Sequence, residues 1–160
     1  IVKIIPLKKK FLKVGKIKVK FIQVPHPPLK ECYAYKFIGS KKIVFSGDTR
    51  YFEPLASFSK KSDVLVHEAI LPKYIDKIVK NTGLSLKLKK HLKSSHTKLE
   101  EVIKIAKLSN CKKLIINHLI PNDNTQKQRR VWQKNINNKI NTKVIIGQDK
   151  LRIKLSLKEN

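Results

Sequence analysis

Residues 41–69 have the sequence KKIVFSGDTRYFEPLASFSKKSDVLVHEA, and two short apolar runs within them decide the fold. The runs IVF (43–45) and VLV (64–66) are compact and rich in β-branched residues, which is typical of buried strands. The first run leads directly into Gly47 and Asp48. A carboxylate at the mouth of an apolar strand is costly to bury unless a positive group meets it, so we expect a metal ion beside Asp48. The alternative is an aspartate that caps a turn after Gly47.

The segments before and after this stretch alternate between strand and helix patterns. Period-two alternation predicts a strand at 16–24 with one solvated face, and residues 33–48 predict a hairpin around a Gly-Ser turn. Residues 50–62 predict a short helix, and residues 71–90 predict a helix that is broken at Gly83 and followed by a basic loop. These elements place three strands and a short helix before the VLV run and a helix after it.

The second half of the chain continues the alternation. Thr97 and Glu100 have capping-box spacing for a helix that ends near Asn110, and its apolar stripe is Leu99, Val102, Ile103 and Ala106. A strand at 112–119, an amphipathic helix at 124–140 and a closing pair of strands at 143–157 follow. Strands that alternate with helices indicate an α/β fold with a mixed sheet in a single domain spanning residues 1–160.

The bulk composition limits the classes of function. The chain has 160 residues, of which 41% are hydrophobic, enough for a globular core. Its 37 basic and 11 acidic residues give a net charge of +26, which attracts RNA, DNA or anionic membranes. The lysines are scattered, so a solvated lysine surface is the alternative. No apolar run approaches the roughly 20 residues that cross a membrane, so we expect no membrane partner.

The two cysteines bear on the cellular compartment, and the first residues of the chain bear on whether it is a fragment. Cys32 and Cys111 stand singly, without the spacing of a disulfide framework or a cysteine zinc site, so we expect a reducing, cytoplasmic location. The chain contains no methionine and begins IVKIIP, and we therefore expect a fragment that lacks its N-terminal part.

Three of the five histidines stand at strand ends. They are His26, His67 and His118, and Asp48 occupies the same kind of position. Strand ends are where α/β folds assemble their sites, and histidine and aspartate are ligand types that zinc binds. Hydrogen-bonded structural histidines are the alternative, and the residues alone leave both open.

Five motifs in a fixed order resemble a known family. They are VPHPPLKECYAYKF (24–37), IVFSGDTR (43–50), DVLVHEA (63–69), SSHT (94–97) and LIINHLIPND (114–123). Together they resemble the C-terminal half of a metallo-β-lactamase-fold hydrolase, in the branch that contains ribonuclease Z and the arylsulfatase-like hydrolases. The resemblance is strongest over residues 16–155, and it implies half of an αββα sandwich with a mixed sheet.

The resemblance also implies a two-metal site that hydrolyses ester-type bonds. His26 and His118 are the implied metal ligands, and Asp48 is the implied bridge between two divalent ions, expected to be zinc, which together generate a hydroxide nucleophile. His96 is the implied donor of a proton to the leaving group, and Glu68 is its carboxylate partner. The alternative for His96 is an exposed residue near a helix start.

The two remaining histidines have no implied role in the chemistry. His67 points to the face opposite Glu68, so we expect it to pack in the core or beside the site. His91 receives no role.

One departure from the family pattern limits these expectations. The family carries an HxHxDH motif ahead of the part seen here, and no His-x-His occurs in this chain. We therefore expect the isolated chain to have little activity and to expose core surface that the missing half would cover.

The segments after His118 bear on the substrate. The runs NHLIPND, VWQKNI and VIIGQD look more like the arylsulfatase-like hydrolases, which favours a small-molecule anionic ester as substrate. Lys89, Lys90 and Lys93 precede His96 and are placed to face an anionic group.

Three alternatives remain. They are a ribonuclease Z-like tRNA 3′-processing enzyme, a non-catalytic RNA-binding module that stacks bases on Tyr33, Tyr35 and Trp132, and a structural fragment without activity. The sequence leaves a homodimer open.

Overall fold

The computed structural model describes residues 11–82, 86–122, 125–136 and 140–155. In chain order its elements are β1 (Phe11–Val14), β2 (Ile17–Gln23), β3 (Tyr33–Ile38), β4 (Lys42–Phe45), α1 (Pro54–Phe58), β5 (Val64–Ile70), α2 (Pro72–Thr82), α3 (Leu86–Ser95), α4 (Leu99–Ser109), β6 (Lys113–Ile120), α5 (Gln126–Ile136) and β7 (Lys143–Ile146).

The strands form one mixed sheet whose spatial order follows the chain from β1 to β7. Strands β1 to β4 pair antiparallel, and β4 to β7 pair parallel. The predicted hairpin and the predicted change to alternating strands and helices are confirmed. Because the carboxyl ends of β4, β5 and β6 lie at one edge, the segments that follow these strands meet there.

One face of the sheet packs against helices. Val44 and Leu65 from neighbouring strands lie on this face and are fully buried together with Val102 and Ile105 of α4. Trp132 of α5 is also fully buried, and its indole N–H donates to the carbonyl of Pro121 at 3.0 Å. The apolar stripe predicted for residues 99–106 therefore forms the core.

The opposite face of the sheet carries aromatic rings. Phe21, Tyr33 and Tyr35 have ring centroids 6.0 to 6.5 Å apart, and Phe37 lies 5.9 Å from Phe45. Phe45 is 42% exposed, and an open groove of about 700 Å³ runs along this face. The described residues thus supply one β layer and one helix layer of the predicted sandwich. Of the three aromatic residues named for base stacking, Tyr33 and Tyr35 lie partly buried on this open face, whereas Trp132 is fully buried in the core.

Segment 86–95 differs from its prediction, because the expected basic loop is helix α3. Asp76 of α2 lies 2.7 Å from Lys89 and 3.3 Å from Lys93, and these ion pairs join the two helices. Both ion pairs are partly exposed to solvent, so each contributes little to stability, but they place this lysine-rich segment against α2. Gly83, where the helix was expected to break, lies outside the described residues.

The start of α4 lies one residue after the predicted cap. Lys98 is the N-cap, and its backbone N–H donates to the carboxylate of Glu101 at 2.9 Å. Thr97 is fully buried, and its hydroxyl donates to the carbonyl of Thr49 at 2.6 Å, so it is not available as a cap. The end of the helix at Asn110, in the left-handed conformation, is as predicted.

The ends of the sheet also differ from the predictions. Strand β1 was not predicted, and it pairs with β2 from Phe11 to Val14. Residues 151–155 were predicted as a strand but form none, because no strand among the described residues pairs with them. Residues 156 and 157 of that prediction lie outside the described residues. No helix in the described part of the chain has the length and apolar character needed to cross a membrane.

Candidate metal and proton-transfer site

The turn after β4 explains why a glycine precedes the aspartate. Gly47 has φ of +62°, and a Cβ atom on it would lie 2.7 Å from the carbonyl oxygen of Tyr33. The backbone therefore passes too close to β3 for any larger side chain. This close approach lets Asp48 follow the buried strand without a break.

Hydrogen bonds of Thr49 join the loop after β4 to Glu68 in β5 and to Thr97 before α4. Its backbone N–H donates to Glu68 Oε1 at 3.0 Å, its hydroxyl donates to the carbonyl of Arg50 at 2.7 Å, and its own carbonyl accepts from the Thr97 hydroxyl. The N–H of Arg50 donates to the carbonyl of Pro25 at 2.9 Å. The loops that carry His26, Asp48 and His96 are therefore fixed relative to each other.

His118 is presented by a β-bulge in β6. Glu68 pairs with Asn117 while Ala69 pairs with Leu119, so His118 is the extra residue, and its φ is +42°. A non-glycine residue in this conformation stores about 1 kcal/mol of strain or more, and such strain is frequent at functional sites. His118 Nε2 lies 3.6 Å from Asp48 Oδ2, and both side chains are nearly half exposed.

Glu68 and His96 form a buried pair. His96 Nδ1 lies 3.0 Å from Glu68 Oε1, and this oxygen also accepts from the N–H groups of Thr49 and Thr97. Burial raises the pKa of Glu68, while these hydrogen bonds oppose the rise. Burial also opposes charge on His96, but the hydrogen bond and charge of Glu68 outweigh it, and the pKa of His96 is raised. Three converging donors favour an ionised Glu68 that holds the proton on His96.

His26 lies beside this pair. It is 8% exposed, and its ring centroid is 4.9 Å from that of His96, which stacks on His118 at 5.4 Å. His26 Nδ1 lies 2.9 Å from the carbonyl of Ser95, which can only accept, so Nδ1 carries the proton. The lone pair of its Nε2 is then free, as a metal ligand requires.

The structure thus brings all five predicted site residues to the same edge of the sheet. Asp48 and His118 form one pair, Glu68 and His96 a second, and His26 lies next to His96. Within the described residues, no three histidine, cysteine or acidic side chains lie close enough together to hold a metal ion. The donor types fit a divalent metal, but their number falls short of two ions. Metal binding by His26, Asp48 and His118 stays a prediction.

His67, Thr49, Ser95 and His91 lie in or beside the site and were not predicted to take part in its chemistry. His67 is fully buried on the helix-covered face, as the alternation predicted, and donates from Nδ1 to the carbonyl of Glu68 at 2.7 Å. Thr49 and Ser95 were missed because their contacts join distant segments. His91 has its ring 6.2 Å from His26 and 6.4 Å from His96.

Comparisons with known proteins agree with this fold. No protein-family model matches the chain. It is 33% identical to a ribonuclease Z of Macrococcus caseolyticus over 109 residues, which are 68% of this chain and 31% of that protein. The chain spans between 11% and 34% of the length of the four curated relatives it matches, all of which are named ribonuclease Z.

Two solved structures show the same architecture. The metallo-β-lactamase-fold protein YhfI of Bacillus subtilis has a TM-score of 0.61 and 22% identity, over 86% of this chain and 48% of YhfI. The short form of human tRNase Z has a TM-score of 0.57 and 18% identity, over 91% of this chain and 46% of its own. The chain therefore has part of the metallo-β-lactamase fold. In sequence it is similar to part of ribonuclease Z.

Proposed function

We propose that the chain supplies the metal-bridging and proton-donating part of a metal-dependent phosphodiesterase, and that its substrate is RNA. The observation that carries the proposal is the convergence of His26, Asp48, Glu68, His96 and His118 at one sheet edge. These side chains come from five separate segments, and a purely structural role would not require them to meet.

His26, Asp48 and His118 would each contribute a ligand to a metal site that is completed by donors from another segment. The free Nε2 of His26 and the solvent-accessible Asp48 and His118 suit a divalent ion. A bound pair of ions would polarise the scissile bond and supply a hydroxide nucleophile. The donors still needed for two ions would come from an HxHxDH motif in another segment of the protein.

The proposed role of His96 is to donate a proton to the leaving oxygen. Because Nδ1 of His96 bonds to Glu68, the other ring nitrogen is the one that can carry the proton to substrate. The raised pKa keeps His96 charged nearer to neutral pH, as a general acid requires. Glu68 positions the imidazole and does not itself touch the reacting atoms.

Two observations favour RNA over a small ester. All four curated relatives are named ribonuclease Z, and a net charge of +26 attracts a phosphate backbone. An arylsulfatase-like ester hydrolase is the second candidate, because the motifs after His118 resemble that group. The same metal and proton-donor arrangement would serve both reactions.

The test compares two substrates on the product of the complete gene. We expect zinc- or manganese-dependent cleavage of a 3′-extended tRNA, abolished by a chelator, and slower hydrolysis of an aryl sulfate or aryl phosphodiester. Asp48→Asn and His96→Ala should each lower cleavage by about 100-fold or more. Glu100→Gln, an exposed acid on α4, is the matched control and should retain activity.

Three outcomes would overturn parts of the proposal. Hydrolysis of the aryl substrate without RNA cleavage would favour the second candidate. RNA binding that is sensitive to salt but survives Asp48→Asn and His118→Asn, without cleavage, would indicate a binding module. Cleavage that resists the chelator would refute the metal-dependent mechanism.

A further inference from the structure

Ser95, the last residue of α3, contacts two histidines and a loop at once. Its carbonyl accepts from His26 Nδ1 at 2.9 Å, and its hydroxyl lies 2.6 Å from the carbonyl of Pro27 and 3.2 Å from His91 Nδ1. Ser95 is fully buried, so water does not compete for these bonds. Ser95 and His26 are 69 positions apart in the sequence, and the contact therefore depends on the tertiary fold.

Counting hydrogens fixes the direction of each bond. The carbonyl of Pro27 can only accept, so it takes the single hydroxyl hydrogen of Ser95. The hydroxyl oxygen must then accept from His91, and His91 Nδ1 carries a proton. The bonds run from His91 to Ser95 and from Ser95 to the loop that holds His26.

We propose that His91 and Ser95 are positioning residues that hold His26 as the Nδ1–H tautomer, with Nε2 free to bind a metal ion. His91 anchors the Ser95 hydroxyl, the hydroxyl anchors Pro27, and the Ser95 carbonyl orients the imidazole of His26. Hydrogen-bonded partners of this kind fix the tautomer and the ring orientation of metal-binding histidines. The metal-binding consequence rests on the proposed function, whereas the tautomer does not.

This arrangement gives α3 a role in the site. Helix α3 is held by ion pairs between Asp76 and two of its lysines, Lys89 and Lys93. The carbonyl of Ser95 in its last turn then fixes the orientation of the His26 imidazole. A purely structural role for His91 and Ser95 would fix the end of the helix but leave the tautomer of His26 unchanged.

The test is nitrogen NMR of the histidine rings in the metal-free 160-residue chain, labelled with ¹⁵N. Wild type should show His26 predominantly as the Nδ1–H tautomer. His91→Leu and Ser95→Ala should each shift His26 toward a mixture with the Nε2–H form that free imidazoles prefer. His91→Asn, whose amide N–H can replace Nδ1–H, should restore the wild-type pattern, and Lys90→Leu, an exposed change on the same helix, should not alter it.

A second measurement separates this proposal from the proposed function. In the complete protein, His91→Leu should weaken zinc binding by about 10-fold or more, with His91→Asn closer to wild type. Wild-type ring shifts of His26 in folded His91→Leu and Ser95→Ala would overturn the positioning role. If one variant does not fold, the other decides. Absence of RNA cleavage with the expected tautomer change would refute the proposed function and leave the positioning role standing.

Discussion

Acid should destabilise the chain through His67. His67 is fully buried, Nδ1 donates to the carbonyl of Glu68, and Nε2 has no hydrogen-bond partner among the described residues. Burial lowers its pKa from 6.5 to about 4. The folded chain thus keeps His67 neutral in a range of pH where the unfolded chain protonates it. Between these two pKa values the unfolded state binds more protons, so the free energy of unfolding falls as the pH falls.

The size of this effect follows from the two pKa values. The pKa of His67 is 6.5 in the unfolded chain and about 4 in the folded chain. Lowering the pH through both values removes about 3 kcal/mol from the free energy of unfolding, since each pKa unit is worth about 1.4 kcal/mol. Between pH 7 and pH 5 the loss is about 2 kcal/mol. His67→Asn keeps an N–H donor for the carbonyl of Glu68 but does not titrate. It lowers stability at pH 7 by leaving a small cavity, but it should remove this part of the pH dependence.

The assay is urea unfolding at pH 7, 6 and 5, followed by the fluorescence of Trp132, the single tryptophan, which is fully buried. Groups common to both proteins, Glu68 and His96 among them, cancel when the pH dependence of His67→Asn is subtracted from that of wild type. We expect a difference of about 2 kcal/mol between pH 7 and pH 5. If His67→Asn and a second variant, His67→Leu, lose as much stability as wild type over this range, the assignment of the effect to His67 is wrong.

Three further results should follow from the structure. Gly47→Ala should destabilise the chain by more than about 2 kcal/mol, because Gly47 has a positive φ and the new Cβ would lie 2.7 Å from a carbonyl oxygen. Gly39→Ala is the matched control, because the atom nearest to its new Cβ would lie at 3.8 Å. Equal midpoints of urea unfolding for the two variants would contradict the account. Glu68→Gln should lower the pKa of His96 by removing the charge that raises it, and an NMR titration with no downward shift would refute the pairing. Phe45→Ser should reduce binding of a hydrophobic dye, because the ring is 42% exposed on the open sheet face, and should lower stability through the lost contact with Phe37. Unchanged dye binding would place the apolar surface elsewhere.

Local patterns in the sequence were sufficient for most of the sheet. The IVF and VLV runs form β4 and β5, which pair parallel and lead their following segments to one edge. Strand ends grouped Asp48 with His26, His67 and His118, whereas Glu68 was indicated only by the resemblance of the HEA motif to the family. Helix α3 was not predicted, because its contacts with α2, among them the ion pairs of Asp76 with Lys89 and Lys93, form only in the folded chain.

The candidate site was only partly predictable for the same reason. Strand ends and the family motifs indicated His26, His96 and His118, but no local signal identified Ser95, whose contacts with His26 and Pro27 form only in the folded chain. Residues 151–155 show the opposite case, in which the local pattern of a strand is present but no strand forms. Alternation of apolar and basic residues is satisfied there, yet a strand also needs a partner for its backbone, and the described residues provide none.

The central claim is that this chain holds only part of a two-metal ligand set. The most direct measurement is the number of zinc ions retained per molecule, by titration and elemental analysis, for the 160-residue chain and for the product of the complete gene. We expect the complete protein to retain two ions, with weaker binding after Asp48→Asn, and the isolated chain to retain fewer than two. Two tightly bound zinc ions on the isolated chain, or none on the complete protein, would contradict the account.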